Sequence, residues 1–99
     1  MKDKIKEQDK VVLRLYVVGM NKTAQRAFVN LEKICELHFP GKYKIEIVDL
    51  KENPQLAVDE QIFAVPTVVK KLPLPMKKVI GDLSDLDKVL VGLDLSSIN

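Results

Sequence analysis

Between residues 11 and 50 the hydropathy pattern changes period twice, and this constrains the fold more than any other feature of the chain. Val11 to Val18 is an apolar, β-branched run broken only by Arg14, the pattern of a strand buried on both faces. Gly19-Met20-Asn21 ends it. Ala24, Ala27, Phe28, Leu31, Ile34, Cys35 and His38 then recur every three or four residues, which lines one face of an amphipathic helix. Asn21 or Thr23 is placed to cap its start. Phe39-Pro40-Gly41 stops it, because proline cannot continue a helix and glycine tolerates the cap conformation. Tyr43 to Leu50 alternates as a second strand. Strand, helix and strand in about 40 residues form a βαβ unit with parallel strands and a right-handed crossover. Its expected core contacts are Leu13, Leu15, Val17, Ala27, Leu31, Ile34, Ile45 and Ile47.

The second half is punctuated by proline. Asn53-Pro54 reads as a helix start, and the helix must be short because Pro66 follows closely. Ala64 to Val69 reads as a strand entered through Pro66, and Lys71-Leu72-Pro73-Leu74-Pro75 as a turn. Lys77 to Ile80 is a return strand ended by Gly81. Ser84-Asp85-Leu86-Asp87 resembles a capping box, after which Leu86, Val89, Leu90 and Leu93 form a last helical stripe. The order β-α-β-α-β-β-α is that of the thioredoxin fold, an α/β architecture on a mixed sheet. Val89 to Leu95 also reads as a strand, since it is rich in Val and Leu and carries Gly92, which weakens a helix by about 1 kcal/mol relative to alanine.

Length and charge narrow the function. With 99 residues the expectation is one domain, 1–99, with residues 1–9 a frayed polar start. There is no tryptophan and there are only five Phe or Tyr residues, so the core is aliphatic. Sixteen basic and fourteen acidic residues leave a net charge of +2, which argues against a strongly cationic nucleic-acid binder. No apolar run approaches the roughly 20 residues of a membrane span, and Met1 to Lys10 does not resemble a secretory signal. The single cysteine, Cys35, cannot form an internal disulfide and suits a reducing compartment. A soluble cytoplasmic protein is the expectation.

No catalytic constellation emerges. A reactive dithiol of the thioredoxin kind belongs between the first strand and the first helix, where a helix N-terminus stabilises a thiolate. That stretch is Gly19-Met20-Asn21-Lys22-Thr23, without cysteine. Cys35 falls on the apolar stripe as a small buried hydrophobe, and His38 near the helix C-terminus suits a capping or half-buried role. Neither has neighbours at metal-ligand spacing, no phosphate loop is present, and no cofactor is expected. A trans Val65-Pro66 bond is the default, although a proline before this strand of the fold is often cis. One charge feature stands out: Lys70, Lys71, Lys77 and Lys78 flank the proline turn, and residues 61–81 contain no acid. They form either a solvated face or a docking patch for an acidic protein surface.

Several segments together resemble the KaiB family of circadian clock proteins. They are Leu13-Arg14-Leu15-Tyr16-Val17-Val18-Gly19, Lys51-Glu52-Asn53-Pro54-Gln55-Leu56-Ala57, Pro66-Thr67, Leu72-Pro73-Leu74-Pro75, Ile80-Gly81-Asp82-Leu83-Ser84 and Lys88-Val89-Leu90-Val91-Gly92-Leu93-Asp94-Leu95. The resemblance implies a non-enzymatic protein that binds the ring-shaped ATPase KaiC, with KaiA and a sensor kinase as further partners. It implies two folds: a resting homo-oligomer, usually a tetramer, with the order β-α-β-β-α-α-β, and a KaiC-binding monomer with the thioredoxin-like order. The family's basic contacts fall on Arg26, Lys70, Lys77 and Lys78, and its fold-switch positions on Gly92 and Asp94. The chain departs from the family at Val11 and Ser97, where the resting form often carries aromatic residues, and has no acid after Asp94.

Two readings follow. The first is a KaiB-like module that modulates a KaiC-type ATPase in circadian timing or stress adaptation. The alternative is a thioredoxin-like enzyme acting without the dithiol, for example on glutathione. From propensity alone, Gly92→Ala is expected to favour the helical form of the last segment by about 1 kcal/mol. Asp94→Arg is expected to act in the same direction, because a cation suits a helix C-terminus.

Overall fold

The computed structural model describes residues 10–96 and 98; the 1–9 start and Ser97 lie outside them. Seven elements follow in order: β1 (Val11–Val17), α1 (Lys22–His38), β2 (Tyr43–Asp49), α2 (Gln55–Asp59), β3 (Thr67–Leu72), β4 (Lys77–Ile80) and α3 (Leu86–Gly92). The strands form one sheet in the order β2-β1-β3-β4. β1 and β2 are parallel, with Leu13 against Ile45 and Leu15 against Ile47. β3 runs antiparallel to both β1 and β4. This is an α/β fold on a mixed sheet of the thioredoxin-like kind.

The period-2 geometry of β1 divides its side chains between two layers. Leu13, Leu15 and Val17 pack with Ala24, Ala27, Leu31, Ile34 and Cys35 of α1 and with Val89, Leu93 and Leu95 at and beyond α3. On the other face Tyr16 packs with Leu50, Ile62 and Val69, against which Leu56 and Ala57 of α2 are half-buried. α1 and α3 thus cover one face, and α2 the other. Among the described residues no helix is long and apolar enough to cross a membrane.

Several local expectations are corrected. Ile47 is 44% exposed: β2 is an edge strand, and of the residues on its helix-side face only Tyr43 and Ile45 pack against the core. His38 is exposed; Phe39, one residue on, is buried in its place. Asn21, not Thr23, caps α1, its side-chain oxygen accepting the Ala24 N–H at 2.9 Å. Asp85, not Ser84, caps α3 by accepting the Lys88 N–H at 3.2 Å. Pro54 rather than Asn53 is the N-cap of α2, which has no side-chain cap; the Asn53 backbone carbonyl accepts the Leu56 N–H at 3.1 Å. β3 extends through Leu72, so Lys71 and Leu72 belong to a strand rather than a turn, with a register shift against Val12 and Leu13. The Val65-Pro66 bond is cis, as are Leu72-Pro73 and Leu74-Pro75.

Candidate functional site

Three places in the fold bear on function. The first is the junction of β1 and α1, where thiol chemistry would sit. Val17, Val18, Asn21, Thr23, Ala24, Val65 and Pro66 line a groove of about 160 Å³ there. Asn21 caps the helix, and Asp49 holds the loop: its carboxylate accepts the N–H groups of Gly19 and Lys51, each at 3.0 Å. These two bonds keep the Asp49 carboxyl below the usual carboxylate range. Cys35 is buried under the opposite part of α1, and burial together with nearby Glu36 and Glu32 pushes its thiol up to about 12. A thiol with that pKa is not a nucleophile at neutral pH. Among the described residues no group of His, Cys, Asp and Glu is arranged to hold a metal ion.

The second place is the basic set. The four cations do not share one surface. Arg26 lies on α1 with its side chain 58% exposed, its Nε 3.6 Å from an Asp82 oxygen. Asn30 donates to the Asp82 backbone carbonyl at 2.8 Å, so α1 and the β4–α3 connection are tied at this point. The Asp82 carboxyl is held low, first by Ser84 and then by Arg26. Lys77 and Lys78 are exposed on β4 and, by strand alternation, point to opposite faces. Lys78 Nζ donates to the carbonyls of Glu60 and Gln61 at 3.0 and 2.8 Å, while Lys71 donates to Glu60 Oε1 at 3.1 Å. Glu60, just past α2, therefore organises this side of the β3–β4 hairpin.

Lys70 is where the structure departs most from its expected role. It is 1% exposed, on the face of β3 shared with Val68, and so is not part of the surface in this arrangement. Burial pushes its pKa down; Asp94 opposes that shift and Lys77 adds to it. Sequence reasoning missed this burial because a lysine beside a proline turn is exposed by default.

The third place is the end of α3. The Leu93 N–H donates to the Val89 carbonyl, Asp94 to Val91 and Leu95 to Leu90, at 2.9, 3.0 and 2.8 Å. Asp94 has φ +56°, so it holds the left-handed position of a helix C-cap, where glycine is usual and Asp is tolerated. Leu95 then turns into the core. Gly92 is the last helical residue and lies over β4. A Cβ there would sit 2.6 Å from Cγ2 of Val79, so only glycine lets helix and strand approach this closely.

Together these features define a thioredoxin-fold protein with no dithiol at the redox position. The N-terminal domain of SasA from Synechococcus elongatus superposes with a TM-score of 0.75 at 17% identity, covering 98% of this chain and 91% of that one. Mitochondrial thioredoxin 3 of Saccharomyces cerevisiae gives 0.67 at 17% identity, covering 89% and 80%. Both likenesses concern the fold alone. More specifically, the chain belongs to the KaiB family: the KaiB domain matches residues 14–95. The circadian clock oscillator protein KaiB of Synechococcus elongatus is 49% identical over 84 residues, 85% of this chain and 82% of the relative.

Proposed function

We propose that this chain is a non-enzymatic binding module that docks on a KaiC-type ATPase ring and modulates its phosphorylation or signalling state, in circadian timing or stress adaptation. The observation that carries this reading is the KaiB family match over residues 14–95. The thioredoxin-like order found here is the one the family resemblance ties to ring binding. Exposed Lys77 and Lys78 and half-exposed Arg26 are its basic contacts, reading an acidic surface. A KaiA-like protein or a sensor kinase is a further partner. The protein acts in the cytoplasm, and its resting form is a homo-oligomer, tetramer or dimer, in which the segment around Gly92 and Asp94 takes the order β-α-β-β-α-α-β. The test is gel filtration with a KaiC-type ATPase in ATP and in ADP, across its phosphorylation states. A nucleotide-dependent complex weakened by Lys77→Glu and Lys78→Glu is the expected result. No complex under any condition refutes the reading.

A further inference from the structure

Basic residues stand on two separate surfaces, the β3–β4 hairpin and the solvent side of α1. Lys22, Gln25, Arg26, Val29, Asn30 and Lys33 line a shallow depression along the helix, with no acid among them. At about 100° per residue, Lys22, Val29 and Lys33 fall within about 40° of one another around α1. They therefore form a straight stripe, with Val29 about 6 Å from Lys33 and about 10.5 Å from Lys22 along the axis. Val29 is 45% exposed. The charges at the margins are turned elsewhere. Arg26 faces Asp82 at 3.6 Å, Glu36 accepts the Tyr43 hydroxyl at 2.8 Å, and Glu32 lies about a quarter-turn away, toward Cys35. Among the described residues neither Lys22 nor Lys33 has an ion-pair partner.

We propose that the solvent side of α1 is a second docking surface, which takes an acidic amphipathic helix of a partner protein lying antiparallel along it. One carboxylate meets Lys33, an aliphatic side chain four residues on covers Val29, and a carboxylate seven residues further meets Lys22. Charge complementarity selects the acids, and the exposed valine selects the apolar residue between them. The spacing selects a helix. A partner helix rises by the same increment per residue as α1, so its side chains stay in step with the stripe. Along an extended strand, side chains on one face recur about every 6.7 Å, and the Val29–Lys22 step falls between two repeats. The antiparallel direction sets the negative end of the partner helix beside the positive end of α1. A lipid surface is the poorer occupant, because it calls for a continuous apolar helix face rather than one valine. Single-stranded nucleic acid finds no aromatic side chain on the stripe to stack on. The surface goes beyond the ring docking proposed above: only the flanking Arg26 is common to both, and the test below contains no ATPase.

The experiment is an NMR titration of the full chain at about 0.15 M salt, where charges on separate surfaces are largely screened from one another. The probe is a helical peptide with Glu at i and i+11 and Leu at i+4; its control has the same composition with these residues scattered around the helix. Amide shifts are expected along residues 22–33, with the patterned peptide bound at least about fivefold more tightly than the control. Lys22→Glu with Lys33→Glu should weaken the patterned peptide by about five- to twentyfold. Both lysines are exposed, so the pair perturbs no packing. Lys77→Glu with Lys78→Glu should change its affinity by less than about twofold. Equal affinities for the two peptides, or equal losses in the two double variants, would mean charge attraction without a site and overturn the proposal. Tighter binding of phosphatidylserine vesicles or duplex DNA than of the patterned peptide, lost in the Lys22/Lys33 variant, would assign the surface to lipid or nucleic acid and overturn it. Movement of the residue 22–33 amides without peptide, in a chain carrying Asp3→Asn, Glu7→Gln and Asp9→Asn, would assign the surface to the chain's own N-terminal segment and overturn it as well.

Discussion

Gly92→Ala sets two opposing effects against each other at one atom. Replacing glycine by alanine within a helix gains about 1 kcal/mol from propensity. The new Cβ, however, would lie 2.6 Å from Val79 Cγ2, where carbon atoms normally stand about 3.5–4.0 Å apart. Val79 is 8% exposed, and its β-branched side chain has few rotamers with which to withdraw. Forcing a methyl into such a contact costs about 1–3 kcal/mol. The docked arrangement is therefore left between neutral and about 2 kcal/mol less stable, not more stable by the full propensity gain expected from sequence. The decisive quantity is the coupling between the two positions. Val79→Ala removes the colliding methyl, so Gly92→Ala should be about 1–3 kcal/mol more favourable in that background than in the wild type. Urea denaturation of the four proteins of the cycle, followed by far-UV circular dichroism, measures it. Additivity within about 0.3 kcal/mol would show that α3 does not lie on β4 as described.

Three further outcomes are expected. Asp49 has a folded-state pKa below its unfolded value because it accepts the Gly19 and Lys51 N–H groups. Its contribution is therefore fully present above the unfolded pKa of about 3.9 and is lost as pH falls through the lower folded value; acid titration of Asp49→Asn should show a flatter stability loss in that window than the wild type. Asn21→Ala removes the α1 cap and should lower the urea-derived stability by about 1 kcal/mol. Cys35, buried and with its thiol pushed up to about 12, should react with a thiol-specific disulfide reagent only as fast as the protein opens; immediate labelling of the native protein at neutral pH would refute its placement.

Much of the first half was legible because each of its signals is local and agrees with its neighbours. The β1 run, the α1 stripe and the alternating β2 each carry their own period, and the parallel pairing found is the one a βαβ connection requires. The return strand Lys77–Ile80 matches its expected limits, bounded by Pro75 and Gly81. The errors fall where a residue's environment is set by a distant element. Ile47 continues the β2 alternation, yet on that edge strand only Tyr43 and Ile45 pack against the core beneath α1. Ser84 and Asp85 are both acceptable caps, and only the path of the chain from β4 selects Asp85. The basic residues 70–78 read as one patch along the sequence, but strand alternation and the helix above separate them into a buried Lys70, an exposed Lys77, and Lys71 and Lys78 tied to Glu60 and Gln61.

What the sequence determined by itself is the set of elements and the absence of a dithiol. Both depend on residues near one another along the chain, or on a simple count. Even the double reading of Val89 to Leu95 was visible there, as a segment whose helical and strand periods compete. Only the tertiary structure decided which period is used: Leu93 and Leu95 are buried once α3 lies across β4, and that approach requires glycine at 92 over Val79. It also decided that Lys70 lies inside. The face of a strand on which a lysine falls follows from alternation, but whether that face meets water depends on which helix packs over it, and that is a long-range contact between residues some twenty positions apart.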